Sequence, residues 1–416
     1  TAEIIFSTPQ CIANDISHKL YDLSEVSLLV IDEAHRCLKN YDYTKVVSQY
    51  KLHALHQRIL GLTASPGSDY DLVKQICEHL GIDEVEIRSR DSEDVKPYVH
   101  ALDFKKIEVP FPQEFIEIRV LLKRIYDSRV EQLKNRRLLF GPANKFALLK
   151  LQNNLARQAA QGSGIAMGGM SLCAQAIKIA HAIELLETQT LASFHAYLKE
   201  LISQAEQKKS KGVQNLVKTP EFNAALLSLA QLIGKNIEHP KINKVSEIVE
   251  EEFSHTESPK ILVFTQFRDT ASLLVNKLNM NQKIKASLFI GQASSARTKG
   301  LSQKEQKAIL EQFRQGTINV LCATSIGEEG LDIPEVNAVI FYEPIPSAIR
   351  KIQRSGRTAR HAPGKLFILV TKDTKDEISH YASSARERKM YKTIDLVKRD
   401  LKNNPKPENK SIRDFI

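Results

Sequence analysis

Two adjacent carboxylates, Asp32 and Glu33, follow an apolar stretch at residues 28 to 31 and precede His35. Acids directly after an apolar run indicate a strand tip that faces a ligand, because open α/β sheets bind ligands at the carboxyl ends of their strands. ATP hydrolysis needs one carboxylate near Mg²⁺ and another near the attacking water. We assign Asp32 to the metal and Glu33 to the water, and His35 can sense the state of the site. The alternative is a buried strand that ends in a solvated acidic turn.

Two hydroxyl residues, Thr63 and Ser65, follow a second apolar stretch at residues 58 to 62, and a Pro-Gly pair ends the element. Small hydroxyl side chains at a strand tip can hydrogen-bond to a neighbouring acid or histidine and relay its state. We therefore predict that both belong to the cofactor site. An ordinary loop in which Ser65 or Ser68 caps the next helix explains the same pattern.

Two arginines, Arg357 and Arg360, are three positions apart in a basic segment that begins at Gln353. A helix would place both on one face. The guanidinium group suits phosphate oxygens, and an arginine offered across an interface can stabilise the charge that develops during phosphoryl transfer. The spacing favours this catalytic role over its alternative, a basic solvated face.

The segment at residues 322 to 334 follows another apolar strand and carries two glycines that let the backbone approach a ligand closely. Thr324 can donate to a nucleic-acid phosphate, whereas Gly330 and Asp332 can face a nucleotide ribose. As a bare pattern, the segment is equally an ordinary turn.

Hydrophobic periodicity divides the chain into an α/β part, a helical part and a second α/β part that begins near Pro240. Strands are predicted at 3–6, 27–31, 58–62, 261–264, 285–290, 318–322, 338–342 and 366–370. Helical stretches are predicted at 115–139, 145–161, 171–203, 241–254, 269–280, 302–315 and 346–355. The four glycines within residues 162 to 169 predict a mobile turn, and the Lys-, Asn- and Pro-rich end from about Lys398 predicts a frayed tail.

Length and charge narrow the class of protein. A chain of 416 residues is too long for one core, so two or three domains are expected. The net charge of +10 favours a polyanionic partner, and the middle of the chain is the basic part, since residues 101 to 240 carry 19 Lys and Arg against 12 Asp and Glu. No apolar run approaches the roughly 18 residues that cross a bilayer, so no membrane partner is expected.

Five cysteines stand far apart without any CxxC pair, which suggests neither a zinc site nor a disulfide framework. A reducing, cytoplasmic setting fits this usage. The chain opens at Thr1 within an apolar run, without an initiator Met or a leader pattern, and we interpret this start as a cut.

Several segments resemble, in order, motifs Ib, II, III, IV, IVa, V and VI of superfamily two helicases. They are Thr8-Pro9-Gln10, the Asp-Glu-Ala-His box at 32–35, Thr63-Ala64-Ser65, Val263-Phe264-Thr265-Gln266, Gly291-Gln292, Thr324 to Asp332 and Gln353 to Arg360. More narrowly, residues 1 to 395 resemble the helicase part of archaeal Hef and its eukaryotic relative FANCM. This narrower resemblance rests on the sequence segments at 61–67, 291–294, 300–303 and 342–350.

The resemblance implies an α/β fold with two RecA-like parallel-sheet domains that close on ATP and Mg²⁺, and an all-helical insertion between them that grips branched DNA. It implies 3′ to 5′ translocation, remodelling of stalled replication forks, replication or repair proteins as possible partners, and a cell of archaeal type. The expected divisions are residues 1–100 for the carboxyl-terminal part of the first domain, 101–239 for the insertion, 240–395 for the second domain and 396–416 for a basic tail.

The resemblance also implies roles for the residues of this chain that match the family's motifs. Asp32 and Glu33 would serve Mg²⁺ and water, while Arg357 and Arg360 would reach the phosphates from the second domain. Gln353, in the same motif as the two arginines, is also expected to be catalytic. The motif residues expected to contact DNA are Thr8, Pro9, Gln10, Thr265, Gln292 and Thr324. The inserted basic residues expected to contact backbone phosphate are Lys123, Arg124, Arg129, Lys134, Arg136 and Arg137, for which a solvated helix face is the alternative.

The chain departs from the family pattern in two respects. No GxxxxGK[ST] phosphate loop and no motif Ia occur in it, so we expect the 416 residues to hydrolyse ATP poorly or not at all and interpret them as an amino-terminally truncated motor. Glu387-Arg388-Lys389 looks like the core of the nuclease motif that follows the motor in archaeal Hef, but Thr393 stands where an acid is expected. We therefore assign no nuclease domain.

Two rival interpretations remain. RIG-I-like receptors and Dicer share Gln at the position of Gln353 and a helical insertion, so an RNA-directed translocase is one alternative, although the insertion matches Hef better. A non-catalytic module that clamps branched DNA is the other, because the phosphate loop is missing.

Overall fold

A computed structural model describes residues 3–39, 41–90, 92–294, 299–324, 333–345, 347, 358–359 and 362–403. The chain divides into two compact units. Unit 1 comprises Thr1–His100, Ile345–Gly356 and His380–Ile416, and unit 2 comprises Ala101–Pro344 and Arg357–Ser379. In the described part of the chain, no helix combines the length and the apolar character that a bilayer span requires.

Helices and strands are numbered here in chain order. The helices are α1 (Pro9–Ser17), α2 (Asp42–His53), α3 (Tyr70–Leu80), α4 (Gln113–Asn135), α5 (Lys145–Ala160), α6 (Gly164–Thr188), α7 (Leu191–Glu206), α8 (Lys211–Val217), α9 (Pro220–Gly234), α10 (Lys241–His255), α11 (Arg268–Leu278), α12 (Gln303–Arg314) and α13 (Lys375–Asn403). The strands are β1 (Leu29–Ile31), β2 (Ile59–Gly61), β3 (Leu102–Val109), β4 (Ile261–Phe264), β5 (Ala286–Phe289), β6 (Val320–Ala323), β7 (Ala338–Phe341) and β8 (Gly364–Thr371). Short 3-10 helices lie at Ala34–Arg36 and Lys96–Tyr98.

The sheet of unit 1 pairs β1 with β2 in parallel, with Ile31 opposite Gly61. Alternation sends Ile31 into a core with Val47 of α2 and Leu80 of α3, while Val30 and Leu60 on the other face remain 48% and 46% exposed. The strands predicted at 27–31 and 58–62 are thus confirmed in shorter form. The strand predicted at 3–6 is wrong, because these residues are exposed and irregular and have no strand beside them in the described part of the chain.

The carboxyl-terminal part of α13 packs on α3. Val397 is buried against Val73 and Cys77, and Leu401 adds to this cluster. Lys398 also pairs with Glu86 at 2.9 Å. The prediction of a frayed tail from Lys398 is therefore wrong as far as Asn403, because the helix continues to that residue and Val397 and Leu401 hold it against α3.

Unit 2 contains a parallel sheet of six strands in the order β3-β8-β7-β4-β6-β5. The elements predicted between Pro240 and residue 370 are confirmed to within two residues, except that the helix at 346–355 lies outside the described residues. The structure adds β3, which pairs with β8 over its whole length. β3 was not predicted from the sequence, because its charged residues interrupt the apolar run that identifies a buried strand.

A helical bundle, α4 to α9, lies between β3 and β4 in the chain, around buried residues such as Phe115, Phe194 and Phe222. The stretch predicted at 171–203 is two helices, because Thr190 caps α7 by accepting from the Ser193 amide at 3.1 Å. The mobile turn predicted at 162–169 is wrong beyond its start. Gly162 has a positive φ of 88°, but Ser163 caps α6, so the later glycines are helical.

The bundle and the sheet of unit 2 share buried polar contacts. Lys241, at the start of α10, forms a buried ion pair with Asp376 at the start of α13. The same ammonium group donates to the carbonyl of Thr188, the last residue of α6, at 3.2 Å. Because a buried charge is costly unless it is paired, this lysine ties the end of α6 to the sheet side of the unit.

Candidate nucleotide site and nucleic-acid interface

The acidic box, residues 32–35, and the hydroxyl segment, residues 63–65, lie at the same edge of the unit 1 sheet. The Leu62 amide donates to the Ile31 carbonyl at 2.9 Å, and the Ala34 amide donates to the Leu62 carbonyl at 2.8 Å. The ladder therefore continues one step past the strands. Because the strands are parallel, the residues after each strand emerge side by side at this edge.

Glu33 has a left-handed backbone, with φ of 52°. This conformation is uncommon outside glycine and often marks a functional position. The Glu33 side chain is half-buried, and its Oε2 atom lies 3.2 Å from His35 Nδ1. That contact has the distance of an ion pair but not the geometry of a hydrogen bond, and among the described residues nothing hydrogen-bonds to Oε2. The atom is a buried acceptor that keeps its lone pairs for another donor.

His35 connects the acidic box to Thr63. Its Nδ1 atom lies 3.0 Å from Thr63 Oγ1, which also accepts from the Ser65 amide at 3.2 Å. Burial lowers the pKa of His35 below its usual 6.5, and the nearby Glu33 carboxylate offsets only part of this effect. The imidazole is therefore mainly neutral at pH 7, so either ring nitrogen can donate or accept according to its tautomer.

Ser65 does not face the acidic box. Its buried hydroxyl donates to the sulfur of Met390 in α13 at 2.8 Å. Of the two hydroxyl residues predicted in this segment, Thr63 contacts His35 and Ser65 contacts a helix from the end of the chain. No local sequence pattern points to Met390, which is 325 residues away from Ser65.

Asp32 is the exposed member of the acidic box, and its Oδ1 atom accepts from the Glu33 amide at 2.9 Å. The described residues contain no group of three or more His, Cys, Asp or Glu side chains that could hold a metal by itself. Mg²⁺ is usually bound through one or two carboxylates together with phosphates and water. An exposed carboxylate at a strand end fits that kind of site.

Three residues predicted to contact DNA in unit 2 follow neighbouring strands of its sheet. Gln292 follows β5 and is exposed, whereas Thr324 follows β6 and is 6% exposed. Thr265 follows β4 and is fully buried, with its hydroxyl donating to Glu343 at 3.2 Å. The structure therefore does not offer the Thr265 hydroxyl to a ligand, because that group is enclosed and already paired.

Glu343 was not among the residues predicted from the sequence. It is 2% exposed and accepts from the Thr265 hydroxyl, from the Gln266 amide at 2.5 Å and from Gln189 Nε2 at 3.0 Å. Its position gave a usable signal, since it stands two residues after the buried strand β7. An acidic residue shortly after a buried strand is the same signal that predicts a site at Asp32 and Glu33 after β1.

The Thr8-Pro9-Gln10 segment begins helix α1. Thr8 is the N-cap and accepts from the Cys11 amide at 3.4 Å, and Pro9 is the first helical residue. Thr8 and Gln10 are exposed. The free amides and the positive dipole end of a helix amino terminus favour phosphate, so this placement suits contact with a nucleic-acid backbone.

Helix α4 and the residues after it carry the predicted basic surface. Arg129 is turned inward, where its Nε donates to Gln175 in α6 at 2.9 Å. The other predicted cations of this surface are exposed: Lys123, Arg124, Lys134, Arg136 and Arg137. Gln353, Arg357, Arg360, Gly330 and Asp332 lie outside the described residues.

Family models match the chain in the order of its parts. Residues 1–73 match the DEAD/DEAH box helicase, residues 114–236 a helical bundle described for a provisionally assigned ATP-dependent RNA helicase, and residues 240–362 the helicase conserved C-terminal domain. The crystal structure of the Pyrococcus furiosus Hef helicase domain is similar with a TM-score of 0.68 and 40% identity, and the match covers 90% of this chain and 78% of that one. The chain belongs to the Hef family of superfamily two helicases.

Membership of the Hef family confirms the predicted fold class of two parallel-sheet domains with a helical insertion. A Methanocaldococcus jannaschii protein, provisionally named an ATP-dependent RNA helicase, is 39% identical over 94% of this chain and 49% of its own length. The Neurospora crassa ATP-dependent DNA helicase mph1 is 34% identical over 91% of this chain and 34% of its own length. The chain thus spans between about a third and a half of these curated relatives.

Proposed function

We propose that the chain forms part of the motor of an ATP-dependent helicase or translocase that acts on branched or forked DNA during repair of replication forks. The observation that carries the hydrolytic part is Glu33 Oε2, a buried acceptor without a hydrogen bond among the described residues, beside a mainly neutral His35. A group of this kind can orient or deprotonate the attacking water.

The residues of the acidic box have separate tasks in this proposal. Asp32 would hold Mg²⁺, and the ion would supply positive charge to the ATP phosphates. Glu33 takes or orients the proton of the water. His35 contacts both Glu33 and Thr63, so a change at the carboxylate reaches the second strand end through one imidazole. Arg357 and Arg360 are proposed, by motif match, to reach the phosphates from the second parallel-sheet domain.

DNA binding is proposed for the exposed cations of α4, for Gln292 and for the amino terminus of α1. Lysine and arginine contacts to phosphates release counterions, so the binding weakens steeply with salt and does not read sequence. The name of the Neurospora relative, a DNA helicase, supports DNA as the substrate, whereas the name of the Methanocaldococcus relative favours RNA as the second candidate.

A further proposal is that the 416 residues alone bind DNA without turning over ATP at motor rates, since they contain no GxxxxGK[ST] segment. The interpretation as a non-catalytic clamp makes the same claim. The motor and clamp interpretations differ in what they predict for a longer polypeptide that also carries a phosphate loop. Such a polypeptide hydrolyses ATP if it is a motor and does not if it is a clamp.

The test measures binding of labelled forked DNA, linear DNA and forked RNA to the 416-residue chain across a series of salt concentrations. Reversing Lys134, Arg136 and Arg137 to Glu should lower fork affinity for every sequence alike and reduce the salt slope by about one per lost contact. The matched control reverses Lys208, Lys209 and Lys211, exposed cations elsewhere on the same bundle.

Unchanged fork affinity in the α4 variant, or an equal loss in the control, contradicts the proposal that the basic α4 surface binds forked DNA. Tighter binding of forked RNA than of forked DNA favours the RNA-directed alternative. DNA-stimulated ATP turnover of about 1 to 100 per second by the 416 residues contradicts the proposed inactivity of the isolated chain.

A further inference from the structure

The loop between β4 and α11, residues 265–267, is fastened to the helical bundle by a buried polar network. We propose that Gln189 and Glu343 are positioning residues that fix this loop, so that the bundle determines where the exposed side chain of Gln266 meets DNA. This inference rests on the proposed DNA-binding function. It also replaces the predicted role of Thr265, which becomes an anchor of the loop.

Glu343 holds the loop side of the network. Its Oε1 atom accepts from the Gln266 amide at 2.5 Å, and its Oε2 atom accepts from the Thr265 hydroxyl at 3.2 Å. The loop is therefore held through a backbone amide as well as a side chain. Its conformation depends on the presence of this acceptor.

Gln189 holds the bundle side. It lies in the two-residue break between α6 and α7 and is 1% exposed. Its Nε2 atom donates to Glu343 Oε2 at 3.0 Å, and its Oε1 atom accepts from the Thr270 hydroxyl at 2.9 Å. Thr270 lies 3.3 Å from the hydroxyl of Ser193 in α7. One amide therefore connects the break between two bundle helices to Glu343, which holds the loop, and to the first turn of α11, which follows the loop.

An aromatic contact supports the same attachment. The centroids of the Phe267 and His181 rings are 6.1 Å apart, and those of the His181 and Tyr197 rings are 4.8 Å apart. His181 lies in α6 and Tyr197 in α7. Phe267 packs against the hydrophobic core of the bundle rather than that of the sheet. The loop thus lies against α6 and α7 through apolar as well as polar contacts.

Breaking this network would leave buried polar groups without partners, at a cost that grows in a low-dielectric interior. The loop must therefore follow any shift of the break between α6 and α7. Gln266 is exposed at the carboxyl end of β4, the edge at which open α/β sheets bind their ligands. A bundle that grips DNA consequently sets the position of a second contact on the sheet.

The experiment uses the full 416-residue chain and two readouts. The chain contains no tryptophan, so Phe267→Trp introduces a single fluorophore that reports the loop without DNA. Binding of labelled forked DNA reports the consequence. Gln189→Glu places a second acceptor against Glu343, Gln189→Met removes the hydrogen bonds more mildly, and the exchange Gln189→Glu with Glu343→Gln restores a donor and an acceptor. Gln231→Glu on the exposed face of α9 is the matched control.

We expect Gln189→Glu to shift the emission of the introduced tryptophan to the red and to lower fork affinity about tenfold, equivalent to about 1.4 kcal/mol. Gln189→Met should act in the same direction, and it replaces Gln189→Glu if that variant does not fold. The exchange should restore both readouts to within about twofold in affinity, and Gln231→Glu should change neither. Gln266→Ala should lower affinity, and Gln189→Glu should add little to it, because both act through one contact.

Unchanged emission in both Gln189 variants overturns the anchoring of the loop. Fully additive losses for Gln266→Ala and Gln189→Glu overturn the link to DNA, as does an exchange that restores emission but not affinity. Failure of the unaltered chain to bind forked DNA instead contradicts the proposed function, and the emission readout then tests the anchoring alone.

Discussion

His35 Nδ1 lies 3.0 Å from the hydroxyl of Thr63 and 3.2 Å from the Oε2 atom of Glu33. One ring atom is therefore shared by the acidic box after β1 and the hydroxyl segment after β2. We therefore expect a change of charge or hydrogen bonding at Glu33 to affect Thr63 through this ring.

The first prediction concerns hydrolysis in a longer polypeptide that also carries a phosphate loop. Glu33→Gln should bind ATP normally, because Asp32 remains available for Mg²⁺, while turnover should fall by about 10²- to 10⁴-fold. Fluorescent nucleotide binding and steady-state turnover measure the two effects, with Asp71→Asn in α3 as a control. Near-normal turnover would show that the acidic box is not the hydrolytic centre.

The second prediction concerns the pKa of His35 in the 416-residue chain. Glu33 raises this pKa and Arg36 lowers it, while burial keeps it below 6.5. Glu33→Gln should therefore lower the pKa of His35 further, and Arg36→Gln should raise it. NMR titration of the His35 ring measures the shifts, and Asp42→Asn should cause none. Shifts of the opposite sign would mean that His35 does not face Glu33 in solution.

The third prediction concerns stability against pH. His239 is fully buried, and burial together with Lys241 lowers its pKa to about 3. A folded-state pKa below the unfolded value near 6.5 means that the unfolded chain binds the proton first as pH falls. The stability from the neutral ring is thus complete above pH 6.5. It is lost as pH falls towards 3, at no more than about 1.4 kcal/mol per pH unit.

His239→Gln should flatten this part of the pH dependence. A glutamine can still accept from the Lys241 amide and donate to the Glu187 carbonyl, which are the two bonds of the imidazole, but it does not titrate. Urea unfolding between pH 7.5 and 4.5 measures the difference. His255→Gln, at the exposed end of α10, is the matched histidine substitution outside the core. Equal slopes for His239→Gln and the unaltered chain would contradict a buried neutral His239.

The fourth prediction concerns the docking of α13 on α3. Val397→Ala should destabilise unit 1 by about 2 kcal/mol, because the removed methyl groups leave a cavity beside Val73 and Cys77. Leu396→Ala changes the neighbouring exposed position and should stay within about 0.5 kcal/mol. Denaturant unfolding compares the two, and equal effects would mean that this part of α13 is not docked in solution.

The local pattern of apolar residues predicted much of this fold. The strand at Ile261–Phe264 was predicted to the residue, because four apolar residues between breakers have few other stable arrangements. Residues 3–6 have a similar apolar content and no strand, and the charged β3 is a strand because β8 pairs with it. A strand needs a partner for its backbone groups, and the residues alone do not say whether one is present.

The sequence by itself determined which residues follow the strands and hence which can face a ligand, since parallel strands bring their carboxyl ends to one edge. Only the tertiary structure decided what each of those side chains does there. Thr63 reaches His35, but Ser65 meets Met390 and Thr265 is enclosed with Glu343 and Gln189. A hydroxyl becomes a ligand or an anchor according to the groups packed around it, and those groups come from distant parts of the chain.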